Sequence, residues 1–233
     1  MKGLKLVVWE SNDPIKGYIL VILAGISAFF MKMNLIKAVP LILSNTPQSW
    51  LHNSLFIMFS VSTYVPVSLG VSLLTALTIR GERDDGSSYF LYSLPPVSIR
   101  TIILSKIVGV YVHFLALILI THILLFSLHF SSTNSLKVVA AHFHVLLAFY
   151  ASVLFYIVSL SALFSVLVPN APIASMLSFF TVFVLTYVKI FNPVLTLQNI
   201  AIENELKTLL PYLVVSAALI PTAIEISARR DVR

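Results

Sequence analysis

Residues that could do chemistry are concentrated in one charged stretch, residues 80–106, the long polar interruption in a chain that is otherwise mostly apolar. It reads RGERDDGSSYFLYSLPPVSIRTIILSK and holds Glu82, Asp84 and Asp85, three of only nine acidic residues. Long apolar runs flank it on both sides. A charged segment between two apolar helices must lie in water, where a soluble protein can reach it. The stretch is therefore a candidate binding surface for a soluble partner.

The middle of the stretch predicts a short helix with exposed aromatic side chains. Acidic residues and serines come first, which suits a helix N-terminus. Tyr89 and Tyr92 lie three residues apart. Phe90 and Leu94 lie four apart, and both spacings bring side chains together on a helix surface. The prolines at 95–96 end the helix. Such a patch fits a groove on another protein or lies on lipid headgroups, and periodicity alone favours neither.

The histidines indicate a rival chemistry. His113 and His122 in one apolar run, and His142 and His144 near the next, could ligate haem or a divalent metal. Nine residues separate the first two, which places them on opposite helix faces. The second two are two residues apart and do not share a face. We therefore expect packed or interfacial histidines, with no metal site and no cofactor.

One carboxylate, Glu225, falls inside a predicted membrane span. A pair of carboxylates there would indicate ion coupling. Glu225 instead lies near the end of the last apolar run, four residues before Arg229. We expect an interfacial ion pair between these two residues. No motif supports a Ser/His/Asp hydrolase, and a chain without cysteines has no thiolate metal ligand or cysteine nucleophile. No catalytic residue is predicted.

The composition requires a membrane to surround these residues. Hydrophobic residues make up 58% and charged residues 10%, with a mean hydropathy of +0.98. Soluble domains carry about 25% charged residues. At about 20 residues per span, 233 residues allow six spans with short loops. The net charge of +6 does not predict nucleic-acid binding, because the basic residues lie at the ends of apolar runs.

The apolar runs predict an all-α membrane protein of six transmembrane helices. A single transmembrane domain covers residues 1–233, and its predicted spans are residues 17–36, 55–79, 101–126, 140–168, 173–191 and 209–226. An amphipathic helix over residues 1–12 is predicted to lie on the lipid surface before the first span. The charged stretch lies between the second and third spans.

Several residues predict where helices begin, end or bend. Pro66 and Pro221 are expected to kink their spans, because proline removes an internal hydrogen bond. Ser98 is a candidate cap for the third span. The sequence Pro-Asn-Ala-Pro at 169–172 predicts a tight turn. Residues 192–208 are polar and are expected to contain short helical pieces at the outer surface.

The positive-inside rule orients the chain. With the N-terminus inside, the inner ends collect Lys2, Lys5, Lys16, Arg80, Arg83, Arg100, Lys106, Arg229, Arg230 and Arg233. The outer ends receive Lys32, Lys37, Lys137, Lys189 and Lys207. An even number of spans also returns the C-terminus to the basic side. Both termini and the charged stretch are therefore predicted to face the cytoplasm.

The charged stretch resembles the signature of the permease subunits of type-2 ABC transporters, the ABC-2 family. That signature has a Glu-Arg pair, a glycine with a small hydroxyl residue, a leucine-rich turn, a proline, a Ser-Arg pair and a lysine that opens the next span. The matching residues are Glu82-Arg83, Gly86-Ser87, Leu91, Ser93-Leu94-Pro95, Ser98, Arg100 and Lys106. This chain departs from the pattern by inserting Ile99 into the Ser-Arg pair and by doubling the proline. Both departures could alter the fit to a partner.

The resemblance implies an exporter permease of the cytoplasmic membrane that pairs with a second copy or a sister permease. Two ATP-binding subunits would bind underneath, and the helix at 87–94 would be the coupling helix. The coupling residues so implied are Glu82, Arg83, Gly86, Ser87, Tyr89, Phe90, Leu91, Leu94 and Pro95. The chain has no G-x-x-x-x-G-K loop, so ATP would be bound and hydrolysed on the partner.

Two alternatives remain open. One is an ATPase-independent secondary transporter or channel-like membrane protein. The other is a six-helix membrane protein of redox chemistry or metal-centre biogenesis. The spans are rich in Leu, Val, Ile and Phe, which suits a hydrophobic or amphipathic substrate slightly better than an ion.

Overall fold

The computed structural model describes residues 14–42, 57, 60–81, 98–129, 133–203 and 206–230. These ranges are helical and contain no strand, which confirms the predicted all-α class for the described chain. The helices are α1 Pro14–Ile42, α2 Tyr64–Ala76, α3 Ile99–His129, α4 Thr133–Leu167, α5 Ala171–Leu185, α6 Pro193–Glu203 and α7 Leu210–Arg230. The amphipathic helix predicted over residues 1–12 lies outside the described residues.

Four helical stretches in the described ranges are long and apolar enough to cross a membrane. They are Tyr64–Gly81, Ile99–Leu124, Phe143–Leu167 and Leu206–Arg229. Two further apolar stretches are shorter than the ~20 residues that a span usually needs. They are Gly17–Phe30, which belongs to the 29-residue helix α1, and Ala171–Leu185, which is α5. A six-span arrangement requires these two helices to cross as well.

Helix α4 is the centre of the bundle. It contacts α2, α3, α5, α6 and α7, and 78% of its apolar window is buried, against 22% for α7. Phe149, Leu154 and Ile157 on α4 have no exposed surface. A helix that is apolar on every side is expected at the core, where neighbouring helices cover all its faces. The remaining helices are arranged around this axis.

Three serines bring α2, α4 and α5 into close contact. The Ser161 hydroxyl lies 2.5 Å from that of Ser178 and 3.3 Å from that of Ser72. Ser72 and Ser178 are 3.0 Å apart, and all three side chains are buried. Small residues let helix backbones approach closely, and hydroxyls that bond to one another satisfy their polar atoms without water. The three helices therefore form a compact unit.

Helix α1 crosses α2 at a glycine. A Cβ atom placed on Gly70 would lie 2.4 Å from Cδ1 of Leu23. Leu20, one turn earlier in α1, lines a narrow cleft with Thr78 near the end of α2. Helix α1 therefore runs antiparallel to α2, and Lys32 lies towards the end of the bundle where α2 begins.

Polar side chains set several helix ends. The Ser98 hydroxyl accepts a hydrogen bond from the Thr101 amide at 3.2 Å, which confirms Ser98 as the cap of α3. The Asn170 side chain accepts from the Ile173 amide at 3.2 Å, and α5 begins there after the predicted turn. Helix α2 begins directly after a turn at residues 62–63, and Pro66 lies in its first turn. Helix α7 continues through Pro221.

The connection from α5 to α7 is packed by aromatic rings. It consists of a 3₁₀ turn at Lys189–Phe191, then α6, then a second 3₁₀ turn at Leu206–Leu209, which confirms the predicted short helical pieces. Phe191 stacks on Tyr156 at 5.2 Å and meets Tyr212 edge to face at 5.4 Å. These three residues, hereafter the aromatic cluster, fix the connection against α4 and α7.

Candidate functional site

The nine predicted coupling residues, Glu82 to Pro95, lie outside the described residues, which resume at Ser98. The structure does describe both flanks of this segment. On one side, α2 is followed by a π turn at Leu77–Gly81. On the other side, Ser98 caps α3. The candidate site is therefore built from the residues that hold these two flanks.

A buried lysine joins the two flanks. The Lys106 side chain is only 3% exposed, and its Nζ donates a hydrogen bond of 2.8 Å to the backbone carbonyl of Thr78. Thr78 lies in the π turn that follows α2, and its carbonyl forms a charge-assisted hydrogen bond with the ammonium. A cation is thus favourable there. The bond ties the end of α2 to the second turn of α3.

The π turn adds to the polarity of this contact. π turns are rare and are frequent at functional sites. The Thr78 hydroxyl is buried, and no side-chain or backbone group of the described chain bonds to it. Thr78 therefore presents two polar atoms to the protein interior, of which Lys106 satisfies the carbonyl.

A second contact joins the start of α3 to the last helix. Nη2 of Arg100 lies 2.9 Å from both carboxylate oxygens of Glu225 in α7. The ion pair is solvent-accessible, with side chains 63% and 46% exposed. The sequence predicted Arg229 as the partner of Glu225, and this is wrong. Arg100, 125 residues away in sequence, binds the carboxylate because the bundle packs α3 beside α7.

These contacts define one end of the bundle. The π turn after α2, the start of α3 and the later turns of α7 meet there, so both described flanks of residues 82–97 lie near Glu225. The aromatic cluster holds Tyr212 at the other end of α7. Thirteen residues at 1.5 Å per residue separate Tyr212 from Glu225 by about 20 Å. The two flanks of residues 82–97 and the α5–α7 connection therefore lie at opposite ends of the bundle.

A cleft beside Lys106 is too small for a substrate. It lies between α1, α2 and α3 and is lined by residues that include Leu20, Leu74, Lys106 and His113. The space open to water is about 10 Å³. That volume holds about one water molecule. The cleft can therefore hydrate the buried lysine and nothing larger.

Two histidines of α3 whose side chains are described bond to their own helix. Nδ1 of His113 lies 2.6 Å from the Gly109 carbonyl, and Nδ1 of His122 lies 2.8 Å from the Ile118 carbonyl. The His122 ring is buried against the Tyr150 ring, with centroids 5.1 Å apart. In the described part of the chain, no three side chains of His, Cys, Asp or Glu come together as a metal site would require. The rings act as packed polar groups.

The sequence contained a partial signal for this site. Lys106 and Arg100 belong to the motif, but the motif does not say what they contact. A lone lysine seven residues into a long apolar helix indicates a buried partner, since an unpaired ammonium is costly in hydrocarbon. The identity of that partner, a backbone carbonyl of Thr78, carries no side-chain signature and could not be read from residue types.

Comparison with known proteins identifies relatives at the family level. A sequence model described as "ABC-2 family transporter protein" matches residues 69–231. The match includes Lys106, Thr78, Arg100 and Glu225 and the segment 82–97. No curated protein and no solved structure matches the chain.

Proposed function

The chain belongs to the ABC-2 family of transporter proteins, and we propose that it is an exporter permease driven by a separate ATP-binding subunit. Members of this family are membrane-embedded transport subunits and are not themselves catalytic. The proposal adds three statements: the chain moves its substrate outward, an ATPase binds residues 82–97, and that segment transmits the motion.

The observation that carries the proposal is that both flanks of residues 82–97 are bound to neighbouring helices. Lys106 holds the end of α2 to α3, and Arg100 holds the start of α3 to Glu225 of α7. A displacement of the segment therefore moves α2, α3 and α7 together. Without these contacts, a partner could move the segment while the helices stayed in place.

The mechanism follows from rigid-body motion. ATP binding closes two ATPase subunits, which displaces the helix at residues 87–94 that is seated in one of them. The displacement tilts α2, α3 and α7, and the serine contact carries the tilt from α2 to α4 and α5. Two permease copies rocking against each other expose a path first to one side of the membrane and then to the other. Each ATP-binding subunit supplies the hydrolysis.

The proposed topology has six spans, with both termini and residues 82–97 in the cytoplasm. Two observations support it. The four long spans and two shorter apolar helices make six apolar segments. The Arg100–Glu225 ion pair brings the start of α3 and the later part of α7 to the same end of the bundle, as an even number of spans would require. The membrane would be the cytoplasmic membrane.

Cross-linking tests the partner. The chain has no cysteine, so Ser87→Cys carries a photoactivatable maleimide at a single position. We expect this variant, illuminated in native membranes, to capture a protein that carries a G-x-x-x-x-G-K phosphate-binding loop. Lys189→Cys, at the opposite end of the bundle, should capture no such protein.

Mutation of the segment tests coupling. We expect the Glu82→Ala and Tyr89→Ala variants to insert and purify like the parent chain. In proteoliposomes, however, they should no longer stimulate the ATPase activity of the ATP-binding subunit. Lys32→Ala, which removes an exposed charge far from the segment, should keep stimulation. If Ser87→Cys captures no ATP-binding protein and Glu82→Ala stimulates like the parent, the ATPase-driven mechanism is wrong.

A further inference from the structure

A groove of about 260 Å³ opens where α5 ends and α7 begins. Its apolar side is formed by Ile190, Leu195 and Pro211. The adjoining aromatic cluster packs the 3₁₀ turn that carries Ile190 against α4 and α7. The groove is therefore formed before any ligand arrives, which lowers the ordering cost of binding.

The rim of the groove offers hydrogen-bond donors. Lys189 is exposed, and no described residue forms an ion pair or a hydrogen bond with its ammonium. The half-buried carboxamide of Asn199 likewise has no hydrogen-bond partner in the described part of the chain. The hydroxyl of Thr196 is occupied by that of Tyr212 at 3.3 Å. Lys189 and Asn199 are thus the groups that a ligand would meet.

The position of the groove selects an amphipathic ligand. The apolar helix α5 ends at Leu185, four residues before Lys189, and the candidate span of α7 starts at Leu206. The groove therefore lies where hydrocarbon gives way to water. Below it, α7 exposes Leu210, Leu213 and Val214, along which a chain can continue into the bilayer.

We propose that the groove binds an anionic phospholipid of the surrounding bilayer. The phosphate accepts hydrogen bonds from Lys189 and Asn199, and the upper part of one acyl chain covers Ile190, Leu195 and Pro211. A volume of about 260 Å³ is slightly below that of a typical small-molecule site, so it takes the headgroup and not the whole lipid. The positive charge favours an anionic headgroup over a zwitterionic one.

This inference is independent of the ATPase partner, since it concerns the opposite end of the bundle. A bound lipid would fix the α5–α7 connection to the membrane surface. It would thereby give the bundle a fixed point on the side away from residues 82–97.

Lipid retention tests the proposal. The full chain is reconstituted in phosphatidylcholine nanodiscs that contain phosphatidylglycerol as the minor lipid, then extracted into detergent and weighed by native mass spectrometry. We expect the parent chain to retain phosphatidylglycerol over phosphatidylcholine. Lys189→Gln should lower that retention about fivefold, the effect of losing one partly screened charge contact. Asn199→Ala should lower it less.

Matched variants separate the groove from general surface charge. Lys32→Gln removes an exposed lysine towards the same end of the bundle but outside the groove, and it should retain phosphatidylglycerol like the parent. Lys189→Arg should also retain it, because it keeps the charge and the donors. Equal losses in Lys32→Gln and Lys189→Gln would overturn the proposal. Equal retention of the two lipids by the parent chain would also overturn it. Complete displacement of phosphatidylglycerol by inorganic phosphate would overturn it too, because it would indicate an anion site that does not require a lipid.

Discussion

At the scale of single residues, Lys106 is the most consequential side chain in the described chain. A charge that is 3% exposed in a membrane helix needs a partner, and the Thr78 carbonyl is a neutral one. The contact is strengthened because the donor carries a full charge. The bond therefore stabilises both the lysine and the π turn.

Replacing Lys106 by Met keeps the aliphatic stem and removes the donor. The Thr78 carbonyl then loses its charged partner, which costs about 1–2 kcal/mol of the free energy of unfolding. The loss is limited because the cost of burying the ammonium disappears as well. Unfolding titrations in mixed micelles measure the change. Lys32→Met, at an exposed site on α1, should change stability by less than about 0.5 kcal/mol, and an equal loss in both variants would contradict the assigned bond.

The Arg100–Glu225 pair should behave differently, because both side chains are largely exposed. Arg100→Glu or Glu225→Arg alone should lower stability by no more than about 1 kcal/mol. The double variant, which restores an opposite-charge pair, should regain most of that loss. The effect of the single reversals should shrink in high salt, since salt screens exposed charges. Thermal unfolding at low and high salt checks this, and a double variant as unstable as the sum of the singles would contradict the pairing.

At the scale of helices, close approach depends on small side chains at particular crossings. Ser72, Ser161 and Ser178 join α2, α4 and α5, and Gly70 admits Leu23 of α1. A hydrophobic pattern cannot identify these crossings, because residues that face lipid are as apolar as those that face another helix. The sequence therefore predicted an all-helical chain but not which helices are neighbours.

Gly70→Val places two methyl groups where Leu23 now lies. We expect it to destabilise the chain by about 1–3 kcal/mol through overpacking. Leu23→Ala in the same chain should recover part of the loss by vacating the space. Gly25→Val is the matched control on α1, since nothing lies within 4 Å of a Cβ atom there. Thermal unfolding compares the four proteins, and equal effects at positions 25 and 70 would show that α1 does not pack at Gly70.

At the scale of the whole molecule, the sequence predicted the class and several helix ends, and tertiary contacts supplied the rest. Ser98 and the turn before Ala171 were predictable because caps and prolines act locally. The partner of Glu225 was not, because Arg229 is near in sequence whereas Arg100 is near only after folding. The bond from Lys106 to a backbone carbonyl was beyond prediction for the same reason. The nine coupling residues stay a prediction.

Single cysteines placed at opposite ends of the bundle should be labelled from opposite sides of the membrane. In a cysteine-free chain, Ser98→Cys should react with a membrane-impermeant maleimide only from the cytoplasmic side, and Lys189→Cys only from outside. The expectation follows from the excess of arginine near residue 98 and from the length of α7. Inverted vesicles and intact cells give the two measurements. Val71→Cys, which is fully buried, should react from neither side, and labelling of both exposed positions from one side would contradict the topology.

The bond between Lys106 and Thr78 also bears on the entropy of docking. Bringing together the ends of a free segment of 16 residues, the length of 82–97, costs about 2.5 kcal/mol by the logarithmic dependence of loop closure on length. Here the ends are already held together by the fold. A partner that binds this segment does not have to supply that free energy.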